Sequence, residues 1–106
     1  MESIDEAKRV LEKYPDKIPI IVKLSDKCTD LKPLEKNKYI VPNDMTVGQF
    51  IYVVRKRINL KQGQALFFFC NNILLPNTLL LKSIYDKNKS ENQFLYIEFS
   101  TESTFG

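Results

Sequence analysis

The sequence predicts a single α+β domain, in which a long amphipathic helix packs against a small sheet. Short apolar runs rich in β-branched and aromatic residues have strand length, and two longer segments show apolar residues at helical spacing. Proline, asparagine and charged residues separate these segments. A chain of 106 residues is long enough for one domain with a modest core.

The first helical pattern covers residues 3–14. Ser3 and Glu6 have the spacing of a capping box, and Pro15 predicts the end of the helix because the residue before proline avoids helical backbone angles. The apolar stripe of this helix is expected to contain Ile4, Ala7, Val10, Leu11 and Tyr14.

Two strands are predicted next, at residues 18–24 and 38–41. Pro19 is expected near the start of the first strand, where a missing N–H costs little. A polar connection of residues 25–37 joins the two strands, which are expected to pair antiparallel. Pro42 is expected to end the second strand.

The long helix is predicted from Val47 to about Ile58. Thr46 precedes Gln49 by three residues, which is a second capping box. The residues expected to face the core are Val47, Phe50, Ile51, Val54 and Ile58, with Val53 beside them. Arg55, Lys56 and Arg57 in the last turn complement the helix dipole.

The rest of the chain predicts a hairpin, a short helix and a last strand. Residues 65–70 and 73–75 are the hairpin strands around an Asn71-Asn72 turn, residues 80–85 are a short helix, and residues 94–99 are the last strand. This order of elements is that of a ubiquitin-like β-grasp, with a mixed four- to five-stranded sheet and an additional N-terminal helix. Its first and last strands pair in parallel at the centre, which places the second strand at an edge. The expected organisation is an N-terminal helix (1–14), a β-grasp core (15–99) and a flexible C-terminal tail (100–106).

Composition excludes several functions. The net charge of +3 argues against a strong nucleic-acid binder. The chain contains no histidine, so a Cys–His or Ser–His nucleophile pair is excluded. Cys28 and Cys70 supply only half of a tetrahedral metal site, and we expect two reduced thiols, with Cys70 buried in a strand. No cofactor is expected.

Four stretches resemble one family. They are residues 14–22 (YPDKIPIIV), 38–60 (KYIVPNDMTVGQFIYVVRKRINL), 65–76 (ALFFFCNNILLP) and 94–106 (FLYIEFSTESTFG). Together, and in this order, they closely resemble the autophagy-related protein eight family of ubiquitin-like modifiers, especially its GABARAP branch. The family carries a further short helix before the first one seen here, so the resemblance says least about the N-terminus.

The resemblance implies a modifier rather than an enzyme. It implies that Gly106 is adenylated by an activating enzyme, passed to a conjugating enzyme and joined to phosphatidylethanolamine, and that a cysteine protease processes and deconjugates the protein. The implied location is the cytoplasm and, after lipidation, the autophagosome membrane. A terminal glycine suits this chemistry because it has no Cβ to obstruct a narrow active site.

The resemblance also implies a groove for cargo receptors with an aromatic-x-x-aliphatic motif. The aromatic pocket would be lined by Val10, Pro19, Ile21, Lys38, Ile40 and Phe94. The aliphatic pocket would be lined by Tyr39, Val41, Pro42, Met45, Phe50 and Val53. Lys36, Lys38 and Arg57 would meet acidic residues beside the motif. Core packing is the alternative role for the apolar residues, above all for Ile21 and Phe50.

Three other functions stay open at this point. The protein could be conjugated to a protein lysine, or act as an unconjugated vesicle-trafficking adaptor. A sulfur carrier is the third alternative, although such carriers typically end in two glycines and this chain ends in Phe105-Gly106.

Overall fold

A computed structural model describes residues 3–28, 31–34, 36–58, 60–61 and 63–102. In these residues the chain forms three helices and five strands. They are α1 (Ile4–Lys13), β1 (Lys17–Leu24), β2 (Lys38–Pro42), α2 (Val47–Arg55), β3 (Phe67–Cys70), β4 (Ile73–Leu74), α3 (Leu81–Asn88) and β5 (Leu95–Ser100). No helix within these ranges combines the length and the apolar character needed to cross a membrane.

The five strands form one mixed sheet in the order β2-β1-β5-β3-β4. The central strands β1 and β5 run parallel, and Ile20 lies beside Leu95. The other neighbouring strands are antiparallel. This topology confirms the predicted ubiquitin-like β-grasp and the predicted position of β2 at an edge of the sheet.

Pro19 is tolerated inside β1 because of its register. It lies opposite Ile40 of β2, and the ladder bond from the Val22 N–H to the Asn37 carbonyl shows that the even-numbered residues of β1 bond to β2. The nitrogen of Pro19 therefore faces the β5 side, one residue before pairing with β5 begins at Ile20. No ladder bond is lost, as expected for a proline near the start of a strand.

The main core lies between α2 and one face of the sheet. Val47, Phe50, Ile51 and Val54 of α2 are buried there, as predicted, and Ile58 packs against the same cluster. The capping box of Thr46 and Gln49 is present in both directions. The helix is shorter than predicted, because it ends at Arg55.

The early end of α2 has a local cause. The N–H groups of Arg57 and Ile58 bond to the carbonyls three residues earlier, at Val54 and Arg55. Such bonds tighten the chain into turns beyond the last α-helical residue. Arg57 therefore lies in a turn after the helix rather than in its last turn.

The opposite face of the sheet carries a smaller cluster under α1, formed by Ala7, Ile21 and Phe94. The predicted stripe of α1 is only partly correct, because Ala7 is its one buried member while Ile4 and Tyr14 are exposed. The capping box predicted from Ser3 and Glu6 is also only half formed. Ser3 Oγ accepts from the Glu6 N–H, but the Glu6 carboxylate bonds to Lys38 Nζ on β2.

The remaining elements follow the prediction with shifted bounds. Asn71 and Asn72 have φ values of 52° and 66°, as a tight hairpin turn requires. The hairpin strands and β5 differ from the predicted ranges by one or two residues. The last helix extends beyond Tyr85 to Asn88, and an ion pair between Lys82 and Asp86 joins its successive turns.

The two cysteines are not joined in a disulfide, and they lie in different surroundings. Cys70 is buried in β3, as predicted, and burial raises the pKa of its thiol, whereas Cys28 is half-buried.

Because the thiolate is the reactive form, we expect iodoacetamide at neutral pH to alkylate Cys28 more than about tenfold faster than Cys70. Mass spectrometry of the intact protein and its peptides over time measures both rates. Cys28→Ser is the control that assigns each alkylation rate to its cysteine. Equal alkylation rates for the two cysteines of the native protein would contradict the burial of Cys70.

Candidate functional site

The edge strand β2 presents alternate side chains to two sides of the sheet. Tyr39 and Val41 are buried in the main core, whereas Lys38, Ile40 and Pro42 are exposed. Within the described part of the chain, the outer side of β2 has no partner strand. An unpaired edge of this kind can accept an extended peptide as an additional strand.

One cavity lies between α1 and β2. It has a volume of about 300 Å³ and is called here the α1-side cavity. Its lining consists of Glu6, Val10, Lys36, Lys38, Tyr39, Ile40 and Phe94. Four of these were expected around an aromatic pocket, and the other two expected residues, Pro19 and Ile21, are buried opposite Ile40 and Lys38 in the sheet.

An ion pair joins the two walls of the α1-side cavity. Lys38 Nζ lies 2.9 and 3.2 Å from the two carboxylate oxygens of Glu6. Both side chains are more than two fifths exposed, so the pair contributes little to stability. Glu6 was not expected at the site, although it lies one helical turn before Val10 and therefore on the same side of α1.

A second cavity lies where β2 ends and α2 begins. It has a volume of about 730 Å³ and is called here the α2-side cavity. Its lining consists of Pro42, Asp44, Met45, Thr46, Gly48, Gln49, Tyr52 and Val53. Pro42, Met45 and Val53 were expected around an aliphatic pocket.

The other residues expected around the aliphatic pocket lie beneath the surface. Tyr39, Val41 and Phe50 are buried in the main core, against which Met45 and Val53 pack. Sequence reasoning did not find the polar part of the lining or Tyr52. These residues follow no apolar period, so only their position beside β2 identifies them.

Basic side chains gather around Tyr39 at the start of β2. The Tyr39 ring packs edge-on against Phe50, with 5.4 Å between centroids. Lys36 Nζ lies 5.7 Å and Arg57 Cζ 5.9 Å from the centroid of the Tyr39 ring. Burial raises the pKa of the Tyr39 hydroxyl and the Arg57 charge partly offsets this, so the ring is neutral at physiological pH. Lys36, Lys38 and Arg57, the three cations expected to meet acidic residues, are thus all at this end of the strand.

The described residues contain no group of three or more His, Cys, Asp or Glu side chains that could hold a metal ion. Gly106, the expected conjugation point, lies outside the described residues, which continue to Glu102, two residues beyond the end of β5. The arrangement seen here is a strand edge with a cavity on each side and a basic end.

The β-grasp topology and this edge define a ubiquitin-like protein. A sequence model of the family described as "Autophagy protein Atg8 ubiquitin like" matches residues 2–106. Autophagy-related protein 8 of Schizosaccharomyces pombe is 52% identical over 101 residues, which are 95% of this chain and 83% of the relative. Autophagy-related protein 8d of Arabidopsis thaliana is 50% identical over the same shares of the two chains.

Solved structures that resemble this chain come from the same family as the sequence relatives. The ATG8 structure of Trypanosoma brucei has a TM-score of 0.88 and 42% identity, and the match covers 97% of this chain and 88% of that one. Plasmodium falciparum Atg8, solved in complex with an Atg3 peptide of the same organism, has a TM-score of 0.84 and 31% identity, and the match covers 96% of this chain and 89% of that one. The chain therefore belongs to the Atg8 family of ubiquitin-like autophagy proteins.

Proposed function

We propose that this Atg8-family protein is a modifier and adaptor rather than an enzyme. Gly106 is joined to phosphatidylethanolamine, and the edge of β2 binds peptides with an aromatic-x-x-aliphatic motif. The observation that supports the adaptor role best is the position of two cavities on the two sides of an unpaired edge strand. In this role the protein moves from the cytoplasm to the forming autophagosome membrane when it is lipidated.

The positions of the two cavities support one direction for the bound peptide. The α1-side cavity is lined by residues from the first half of β2, and the α2-side cavity by residues at and after its end. An aromatic residue in the first cavity and an aliphatic residue in the second then run in the direction of β2. The peptide adds as a parallel strand, so its main chain supplies hydrogen bonds and its two anchors supply specificity.

The same direction places the residues before the aromatic anchor at the basic end. Lys36, Lys38 and Arg57 lie around the start of β2, and acidic residues that precede the motif would pair with them. These exposed charges favour rapid association and selection of acidic peptides more than they add affinity.

The proposed protein partners are enzymes that act on the tail and receptors that bind the groove. The activating and conjugating enzymes and the processing cysteine protease act on the tail, while cargo receptors bind the groove. Plasmodium falciparum Atg8 binds a peptide of Atg3, which supports peptide binding as a property within the family. The lipid then supplies the membrane attachment.

A peptide titration tests the adaptor role. We expect an acidic peptide with a Trp-x-x-Leu core to bind with micromolar affinity, on the order of −8 kcal/mol. Ile40→Ser in the first cavity and Val53→Ser in the second should each weaken binding by more than about 1 kcal/mol. Ile73→Ser is the matched control, because Ile73 is exposed on β4 at the opposite edge of the sheet.

The three variants separate binding from folding. Thermal unfolding of each variant must accompany the calorimetric titration, since Val53 packs partly against the core. If folded Ile40→Ser and Val53→Ser proteins bind as tightly as Ile73→Ser, the peptide does not occupy this edge.

The ion pair across the α1-side cavity gives a separate prediction. Glu6 competes with an acidic peptide for Lys38, so Glu6→Gln should tighten the binding of an acidic peptide by about two- to fivefold, in line with the small energies of exposed ion pairs. This gain in affinity should shrink at high salt, because exposed charges are screened. Isothermal titration calorimetry at two salt concentrations measures the affinity of both proteins. A peptide with neutral residues before the motif is the control, and an equal gain for that peptide would rule out competition for Lys38.

A further inference from the structure

We propose that Phe105 docks in a further cavity, which lies at the end of β1, and that it thereby fixes the C-terminal tail against the domain. The docking takes place within one chain and does not depend on the conjugation proposed above. Residues 103–106 lie outside the described residues, whereas the cavity and the start of the tail lie within them.

The cavity lies between the end of β1 and the connection that leads to β2. It has a volume of about 380 Å³ and is called here the β1-end cavity. Its lining consists of Val22, Lys23, Leu24, Ser25, Asp26, Cys28, Pro33, Leu34 and Asn37. It shares no lining residue with the two cavities beside β2. Because a cavity of about 150 Å³ is enough to hold benzene, a phenyl ring fits in this volume.

Part of this lining is apolar surface that the main core leaves uncovered. Leu24 and Leu34 pack against the main core but are only partly buried. The two charged residues of the lining, Lys23 and Asp26, have opposite signs. A neutral apolar side chain is therefore the occupant that the β1-end cavity favours, since ligand pockets combine apolar walls with a few polar groups.

The tail leaves β5 beside this cavity. The strands β1 and β5 are parallel and Leu24 lies opposite Phe99, so both strands end on the same side of the sheet. The Ser25 N–H donates to the Phe99 carbonyl at 2.9 Å. One residue further along, Cys28 Sγ lies 3.9 Å from Thr101 Oγ1 after the end of β5. Cys28 therefore contacts the start of the tail and also lines the cavity.

The length of the tail brings Phe105 within reach of the cavity. The Glu102 N–H donates to Ser100 Oγ at 3.1 Å, and this local bond bends the chain as it leaves β5. Phe105 follows Thr101 by four residues, which span at most about 13–14 Å when extended. Phe105 is also the one large apolar residue among residues 103–106, so it is the member of this segment that suits the cavity.

Docking of Phe105 would give the tail two states. In the docked state Gly106 is kept beside the domain, and in the released state it can enter a narrow active site. An enzyme that takes the tail would then compete with the β1-end cavity for it, because a ligand shifts such an equilibrium by binding one state better. Only this consequence rests on the proposed function.

The Cys28 thiol reports on the occupancy of the cavity. Because Cys28 lines the cavity, a docked Phe105 slows the alkylation of its thiol by iodoacetamide. We expect Phe105→Ala to raise the alkylation rate of Cys28 about three- to tenfold, which corresponds to a tail that is docked for about two thirds to nine tenths of the time. Thr104→Ala is the matched control and should leave the rate unchanged. The rate of buried Cys70 should be the same in all three proteins, which shows that the fold is intact.

Nuclear magnetic resonance tests the contact directly. In the unmodified protein we expect nuclear Overhauser effects between the ring protons of Phe105 and the methyl groups of Val22, Leu24 or Leu34. Equal alkylation rates of Cys28 with and without the Phe105 ring would overturn the docking, and so would a Phe105 ring that shows no contact with these methyl groups.

The same alkylation measurement distinguishes the tail of the same chain from that of a second copy. The rate at Cys28 should not change when the protein is diluted about tenfold, since docking within one chain is independent of concentration. A rate that rises on dilution would show that the tail occupies the cavity of a second copy, and this would overturn the proposal. Neither measurement contains enzymes or lipid, so failure here would leave the proposed conjugation untouched.

Discussion

Removal of Gly106 is expected to abolish conjugation to phosphatidylethanolamine, the largest functional effect of any single change. In the proposed function, the carboxylate of Gly106 must reach the nucleotide site of the activating enzyme and then a thiol of the conjugating enzyme. Without Gly106 the chain ends at Phe105, whose Cβ and ring would obstruct a narrow active site. Lipidation matters because each buried CH₂ of the acyl chains contributes about 0.8 kcal/mol, and two chains make a stable anchor.

Reconstitution with the activating and conjugating enzymes, ATP and liposomes containing phosphatidylethanolamine measures this effect. Gly63→Ala is the matched control, since a Cβ at Gly63 meets nothing within 4 Å, although its positive φ adds some strain. Gly63→Ala should be lipidated like the unmodified protein. Full transfer of the shortened chain to the membrane would replace the modifier role with that of an unconjugated adaptor. An adduct on a protein lysine would instead favour conjugation to proteins rather than to lipid.

Truncation of Phe50 to Ala is expected to cause the largest loss of stability, about 3–5 kcal/mol. Phe50 is fully buried, and its ring packs edge-on against Tyr39 and Phe68 at centroid distances of 5.4 and 5.5 Å. Its removal leaves a cavity between α2 and the sheet. Since small domains are stable by only about 5–15 kcal/mol, the variant would be close to unfolding.

Denaturant unfolding measures the free energy of unfolding of the variant. Tyr52→Ala is the control, because Tyr52 lies on the same helix but is 61% exposed, and it should change stability by less than about 0.5 kcal/mol. A loss below about 1 kcal/mol for Phe50→Ala would contradict the packing described here. The large expected loss also means that peptide binding by Phe50→Ala reports on folding first, so exposed Ile40 is the better probe of the groove.

Features that depend on neighbouring residues could be predicted from the sequence. The Thr46–Gln49 capping box, the buried face of α2 and the left-handed Asn71-Asn72 turn each follow from a few consecutive residues. The order of these elements predicted the β-grasp and the edge position of β2, because few arrangements connect such elements without crossed or knotted connections.

Features that depend on distant residues appeared only in the tertiary structure. Glu6 and Lys38 are 32 positions apart, so no local pattern predicts that the carboxylate leaves the cap of α1 to bond to β2. Likewise, Phe50 and Val53 are both apolar residues of α2, yet Phe50 is enclosed by the sheet while Val53 lines a cavity. Spacing along a helix gives the direction of a side chain, but what covers that side chain depends on how β2, α1 and α2 pack together.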